Sequence, residues 1–110
     1  MLDADDIPKP RVINPQSQIN EGTTLILECQ TNGRFAKLTW EKEGKKVADE
    51  LITDKKPFFE NGEVVIESIL TIDDVKLKDV GIYTCKSVSR FDSSKTANTT
   101  TIVNVKGRLF

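Results

Sequence analysis

The 110-residue sequence contains no histidine, which removes several kinds of chemistry at once. Histidine is the usual general base, the commonest metal ligand and the central member of a Ser-His-Asp arrangement. The two cysteines, Cys29 and Cys85, lie too far apart in the sequence for a Cys-x-x-Cys zinc or redox pair. The six glycines are scattered, so there is no Gly-rich phosphate loop. We therefore expect a protein that is not an enzyme and that holds neither a cofactor nor a metal ion.

Long apolar runs and an excess of one charge are also missing. The longest apolar stretches span only a few residues, so we expect no direct membrane insertion, and nothing resembles a signal peptide. Sixteen basic residues against seventeen acidic ones give a formal charge of -1, which argues against nucleic acid as a partner. Acidic residues cluster at Asp3, Asp5 and Asp6 and at Asp73-Asp74, and carboxylates can bind calcium. We interpret the first cluster as part of a linker and the second as the cap of a helical turn.

The size and composition are those of one folded domain. A chain of 110 residues with 37% hydrophobic and 30% charged residues can bury one core but not two. We expect residues 1–8 to be a linker or a non-native start, residues 9–106 to form the domain, and residues 107–110 to begin a C-terminal linker.

Alternation of apolar and polar residues recurs along the chain, and no segment of helical length carries a sustained 3.6-residue stripe. The Asn61-Gly62 pair predicts a two-residue hairpin turn, because both turn positions need positive φ. The pattern therefore predicts an all-β fold. The expected strands cover residues 11–14, 16–19, 23–31, 37–42, 63–72, 81–90 and 95–105, with one or two short edge strands in 47–59 and a helical turn in 73–79.

The two cysteines and the tryptophan are spaced as in a two-sheet sandwich. Trp40 follows Cys29 on the next predicted strand, and Cys85 lies on a strand near the end of the chain. This spacing is typical of cysteines on facing sheets with a tryptophan packed against their bridge. Tyr83, two residues before Cys85, is placed to form a tyrosine corner, in which the hydroxyl bonds to the chain entering the strand.

The segment Asp79-Val80-Gly81-Ile82-Tyr83-Thr84-Cys85 resembles the D-x-G-x-Y-x-C signature of the immunoglobulin superfamily. Leu70 in Ser68-Ile69-Leu70-Thr71-Ile72 is similar to the superfamily's pattern for strand E. The resemblance implies an all-β, two-sheet, immunoglobulin-like Greek-key sandwich of the I-set kind with one inter-sheet disulfide. It also implies structural roles for Trp40, Leu70, Asp79, Gly81 and Tyr83.

Whether the two cysteines are oxidised or reduced distinguishes two possible functions. A disulfide implies a secreted or cell-surface protein, whereas buried free thiols occur in immunoglobulin domains of intracellular muscle filaments. The triplet Asn98-Thr99-Thr100 is an acceptor for N-glycosylation and agrees with the first setting. It is equally consistent with an ordinary surface asparagine in a Thr-rich strand. The first function is an extracellular protein-recognition module, and the alternative is a structural domain of a filament-associated protein.

Two finer resemblances point to extracellular signalling. The blocks at 25–29, 38–41 and 68–72 are similar to the third immunoglobulin domain of the platelet-derived and vascular endothelial growth factor receptors. The segments 85–89 and 97–103 resemble the immunoglobulin domain of neuregulins. The receptor likeness implies growth-factor binding through the loops, and neighbouring immunoglobulin domains are further expected partners.

In such a sandwich three loops gather at the end that bears the N-terminus, and each of them holds an aromatic residue. They follow the expected strand 23–31, the edge strands in 47–59 and the strand 81–90. Aromatic side chains beside arginines have the composition of interface hot spots. We therefore expect a partner to bind there. The candidate residues are Arg34, Phe35, Phe58, Phe59, Arg90 and Phe91, of which Phe91 is expected to be exposed and Phe35 and one of Phe58 and Phe59 to fold inward.

Alternation also places Ile26 and Ile69 on the outward side of neighbouring strands. We expect an exposed apolar pair there, which is consistent with weak homo-association or with simple β-propensity.

Overall fold

The computed structural model describes residues 9–33 and 35–107. The expected linker at residues 1–8, with Asp3, Asp5 and Asp6, lies outside the described residues. Arg34 and residues 108–110 lie outside them as well. In the described part of the chain, no helical segment is long and apolar enough to cross a membrane.

The described residues form two five-stranded sheets packed face to face. One sheet has the order β1-β3-β8-β6, with β7 also paired to β8, and the other has the order β2-β10-β9-β4-β5. The pairing is antiparallel except between β2 and β10, which run parallel. The strands are β1 (Arg11–Val12), β2 (Gln18–Asn20), β3 (Leu25–Asn32), β4 (Ala36–Lys42), β5 (Lys45–Lys46), β6 (Ile52–Asp54), β7 (Phe58–Glu60), β8 (Glu63–Ile72), β9 (Gly81–Ser89) and β10 (Thr96–Lys106).

The predicted all-β sandwich is confirmed, and the longer strands begin and end within two residues of their predicted limits. The Asn61-Gly62 turn between β7 and β8 has positive φ at both residues, as the hairpin prediction required. A second hairpin turn of the same kind, Glu43-Gly44, joins β4 to β5. Where one or two short edge strands were predicted, over residues 47–59, the structure has a 3₁₀ turn at Asp49–Leu51, the strand β6 and most of β7. The strand β5 was not predicted.

The helical turn predicted over residues 73–79 is shorter than expected. Within residues 73–79 only Leu77–Asp79 form a 3₁₀ turn, because Asp74 adopts a φ of 51° that interrupts the helix. The interpretation of Asp73-Asp74 as its cap is wrong, since the carboxylate of Asp79 accepts the N–H of Lys76 at 2.8 Å. Val75 is instead fully buried in the core.

The core lies around the disulfide that joins β3 to β9. Cys29 and Cys85 are bonded at 2.04 Å and are both fully buried. The indole of Trp40 is also buried, and the register places it directly opposite Cys85 on the neighbouring strand β4. The buried side chains around them are Leu25, Leu27, Leu38, Val47, Leu70, Val75, Tyr83 and Val103.

Tyr83 forms the predicted corner at the start of β9. Its hydroxyl donates a hydrogen bond to the carbonyl oxygen of Asp79 at 2.6 Å. Burial, with smaller contributions from the negative charges of Asp79 and Glu43, raises the pKa of Tyr83 to about 12. The ammonium group of Lys42 lies 5.7 Å from the ring centroid.

The raised pKa of Tyr83 can be tested by alkaline titration of the domain. Tyr83 is the chain's one tyrosine, so its ultraviolet absorbance reports this phenol alone. We expect ionisation near pH 12 in the folded domain and near the ordinary value of about 10 in denaturant. The folded state holds the proton more tightly, so this contribution to stability is complete below pH about 10 and is lost as the pH rises towards 12. Tyr83→Phe should lack this alkaline loss, whereas a folded-state ionisation near pH 10 would contradict the account.

The close approach of the β4–β5 turn explains why position 81 requires glycine. A Cβ at this position would lie 2.6 Å from Oε1 of Glu43, which accepts the N–H of Ile82 at 2.9 Å, and φ at Gly81 is +155°. An alanine would therefore displace the carboxylate and lose this hydrogen bond.

We expect Gly81→Ala to lower the free energy of unfolding by about 1 to 3 kcal/mol. The loss should shrink in a Glu43→Ala background, because the clash and the hydrogen bond are then already absent. Gly107→Ala is the matched control, since its Cβ would meet only a Leu77 methyl at 4.0 Å. Urea unfolding measures all four variants. Equal losses at positions 81 and 107 would contradict the explanation.

The predicted outward pair on β3 and β8 is only partly exposed. Ile26 is 38% exposed, but Ile69 is partly buried. The register pairs Ile26 with Thr71 and Ile69 with Glu28, so the two isoleucines are diagonal neighbours rather than direct partners.

Candidate functional site

Three connections meet at one end of the sandwich, which we call the aromatic end. They are the connection from β3 to β4, which includes Gly33 and Phe35, the β7–β8 hairpin and the loop at residues 90–95. The N–H of Gly33 donates to the carbonyl of Val64 at 2.9 Å, and the N–H of Arg90 donates to the carbonyl of Phe35 at 2.8 Å. Backbone hydrogen bonds thus join the first loop to both of the others.

Two phenylalanines from different loops contact each other at this end. The ring centroids of Phe35 and Phe91 are 4.9 Å apart, with the rings tilted by 46°. This separation is within the range of favourable aromatic pairs. Phe35 is partly buried, whereas Phe91 is 65% exposed, so Phe35 supports a ring that remains largely open to solvent.

Hydrogen bonds to Ser89 and Asp92 hold the loop that carries Phe91. The buried hydroxyl of Ser89 accepts the N–H groups of Phe91 at 3.1 Å and of Asp92 at 3.3 Å. The carboxylate of Asp92 in turn accepts both the N–H and the hydroxyl of Ser94. The hydrogen bonds from Ser94 lower the pKa of Asp92. A loop held by this many local hydrogen bonds presents Phe91 in a defined position.

The β7–β8 hairpin contributes a second exposed ring. Phe58 pairs with buried Val65 and is itself partly buried. Phe59 pairs with Val64 and is 75% exposed. Of the two phenylalanines, Phe58 is therefore the one that contributes to covering the end of the sandwich.

The remaining predicted site residues are Arg90, Arg34 and Asn98. Arg90 is exposed beside Phe91, while Arg34 lies outside the described residues. Asn98 is exposed near the start of β10, the strand that follows the loop at residues 90–95. Partner binding by Arg34 and Arg90 and glycosylation of Asn98 stay predictions.

The sequence reasoning missed the residues that hold the loop. The hydrogen bonds of Ser89 and Asp92 fix the position of Phe91. The signal was present, because serine and aspartate commonly bond the backbone N–H groups that follow them in turns.

An apolar pair on the opposite part of the molecule was also missed. Ile82 and Ile102 face each other across β9 and β10 and are 42% and 59% exposed. Scattered exposed isoleucines are common on the surfaces of strands. The pair therefore provides a control surface away from the aromatic end.

Comparison with protein families places residues 9–88 in the family described as Immunoglobulin domain. The match covers well over half of the chain, and the chain belongs to this family. No curated protein matches the chain.

Solved structures with the same fold come from different settings. The complex of Dpr2 Ig1-Ig2 with DIP-Theta Ig1-Ig3 matches with a TM-score of 0.65 at 19% identity over 91% of this chain and 32% of that chain. The IgNAR antibody domain C3 matches with a TM-score of 0.65 at 20% identity, covering 90% of this chain and 99% of that chain. A chimeric titin Z1Z2 tandem matches with a TM-score of 0.59 at 20% identity over 93% of this chain and 52% of that chain. At these identities the likeness shows the fold alone, and the chain spans about a third to a half of the first and third structures.

Proposed function

We propose that this domain is an extracellular protein-recognition module of a cell-surface receptor or adhesion protein, and that it binds its partner through the aromatic end. It acts by contact and not by catalysis. The observation that carries the proposal is the 65% exposed ring of Phe91 on a loop held by the buried hydroxyl of Ser89.

The physical reason is the cost of ordering a binding loop. Immobilising flexible side chains and loops on binding reduces affinity, and a loop that is already ordered avoids most of that cost. The aromatic end adds a second exposed ring, Phe59, and a cation, Arg90. Aromatic residues and arginine are the residue types enriched at interface hot spots.

The disulfide supports an extracellular location. Disulfides persist in oxidising compartments and are rare in the cytosol. The Dpr2 complex, a pair of immunoglobulin-domain proteins bound to each other, agrees with recognition of a protein partner. The titin likeness favours the second candidate, a structural domain of an intracellular filament protein with reduced cysteines.

The finer assignment is to an I-set domain of a growth-factor receptor. The division of the first strand supports the I-set part of this proposal, because β1 pairs with β3 in one sheet and β2 pairs with β10 in the other. The receptor part rests on the sequence blocks at 25–29, 38–41 and 68–72, which contribute β3, β4 and β8.

Thiol counting in protein from its natural source distinguishes the two functions. The protein is denatured without reductant in the presence of an alkylating reagent, and the mass of the peptides that contain Cys29 and Cys85 is measured. The proposal predicts no alkylation before reduction and two alkylated cysteines after it. Two alkylated cysteines before reduction would favour the filament protein.

A further inference from the structure

Most edges of the two sheets are short and carry residues that discourage pairing with another chain. An unpaired strand edge is a template for aggregation, and proteins protect it with short strands, charges, prolines or bulges. The edge strands β1, β2, β5 and β6 have two or three residues each. Their protecting residues include Pro10, Arg11, Pro15, Lys45, Lys46, Asp54, Lys55 and Lys56.

The first part of β10 is the exception. In the described part of the chain, Thr96–Val103 pairs on one side with β9, and β2 covers the other side only at Asn104–Lys106. These eight residues contain no charge, no proline and no glycine, and their register with β9 runs without a bulge. Within the described residues, a long, uncharged edge without a bulge is therefore left without the usual protection.

Asn98 is the third residue of this edge, which runs from Thr96 to Val103. Its side chain is exposed on the outer face of the sheet, and no hydrogen bond to it is found within the described residues. Its cross-strand neighbour, Lys86, is held by Glu41 at 3.2 Å. Among the asparagines of the chain, Asn98 alone has a hydroxyl residue, Thr100, two positions later. The same residue thus combines an available amide, exposure and the acceptor triplet.

We propose that Asn98 carries an N-linked oligosaccharide that protects the open edge of β10; this rests on the proposed extracellular function. The donor is an oligosaccharide attached through a diphosphate to a lipid. The side-chain nitrogen of Asn98 forms a bond to C1 of the first sugar and loses one proton. The bond from C1 to the diphosphate oxygen breaks, and the lipid diphosphate leaves. No oxidant or reductant is needed.

The position explains how the sugar protects the edge. Another strand must approach to within about 4.8 Å to pair with β10. A hydrated oligosaccharide on Asn98 blocks that approach sterically. Thr96 and Thr100, which are exposed beside Asn98 on the same face, leave room for it.

The test is secretion of the domain from eukaryotic cells behind a signal peptide, followed by mass measurement with and without peptide N-glycosidase. The parent should carry a glycan that the enzyme removes, converting Asn98 to Asp. Asn98→Gln and Thr100→Ala should lose it completely. Thr100→Ser, which keeps the hydroxyl, and Asn104→Gln, on the same strand and face, should retain it. A secreted, folded parent without glycan would overturn the proposal.

The protective role is tested by comparing two unglycosylated variants. Thr100→Ala leaves the edge uncharged, whereas Thr100→Lys removes the acceptor and adds a charge to the edge. In sedimentation velocity we expect the glycosylated parent and Thr100→Lys to stay monomeric and Thr100→Ala to associate as its concentration rises. A monomeric Thr100→Ala would overturn the role in edge protection. A disulfide in natural protein with no glycan on Asn98 would overturn this inference alone, whereas two free thiols would overturn the proposed function as well.

Discussion

Replacing both Cys29 and Cys85 by alanine is expected to leave the domain largely unfolded at 37 °C. In the chain-entropy model, a bridge that closes a 56-residue separation stabilises the fold by about 4 kcal/mol. Small domains have net stabilities of about 5 to 15 kcal/mol, so this loss removes much of the total. The measurement is equilibrium urea unfolding, followed by the fluorescence of the single tryptophan, Trp40.

Ser68→Ala is the matched control for this layer of the core. Ser68 lies on β8, where it pairs with Cys29 of β3. Its buried hydroxyl has no hydrogen-bond partner within the described residues. Removing an unpartnered buried hydroxyl is expected to be neutral or slightly stabilising. A double cysteine variant that loses less than about 1 kcal/mol would show that the bridge does not hold the sandwich together.

Replacing Trp40 by alanine is expected to cost about 3 to 5 kcal/mol, the range for large aromatic residues in cores. The side chain is buried against Cys85, and its Nε1 has no hydrogen-bond partner within the described residues. The loss therefore comes from packing. For a domain of this size it corresponds to a fall in Tm of at least about 12 °C.

Trp40→Phe separates packing from a specific role of the indole. Phenylalanine fills most of the same volume, so this variant should lose much less stability than Trp40→Ala. Circular dichroism follows the unfolding of both, since neither variant keeps the tryptophan signal. A change of only one or two degrees in Trp40→Ala would mean that the indole is not part of the core.

The fold could be predicted from the sequence because its strongest signals are local and periodic. The alternation in β3 and the spacing from Cys29 to Trp40 define which residues face inward. The position of Val75 could not be predicted in this way. It is buried because Asp74 turns the chain with positive φ and hydrogen bonds join Val75 to Gly22 and Thr23, which are contacts distant in sequence.

The candidate site was predictable in composition but not in geometry. Strand order brings the loops of Phe35 and Phe91 to one end, so their proximity follows from the fold. The contact between the rings and the exposure of Phe91 depend on the conformation of residues 90–95, which the hydroxyl of Ser89 and the carboxylate of Asp92 determine. Alternation alone also could not give the register that makes Ile26 and Ile69 diagonal neighbours.

The most direct test of recognition by the aromatic end is a binding screen of the multivalent domain against displayed ectodomains and growth factors from the source organism. Arg90→Ala combined with Phe91→Ala should abolish binding to the ligands that the parent selects and change Tm by no more than about 2 °C. Ile82→Thr combined with Ile102→Thr, which changes two exposed residues away from this end, should bind like the parent. Binding that survives the loss of Arg90 and Phe91, or that disappears only with the two isoleucines, would contradict the account.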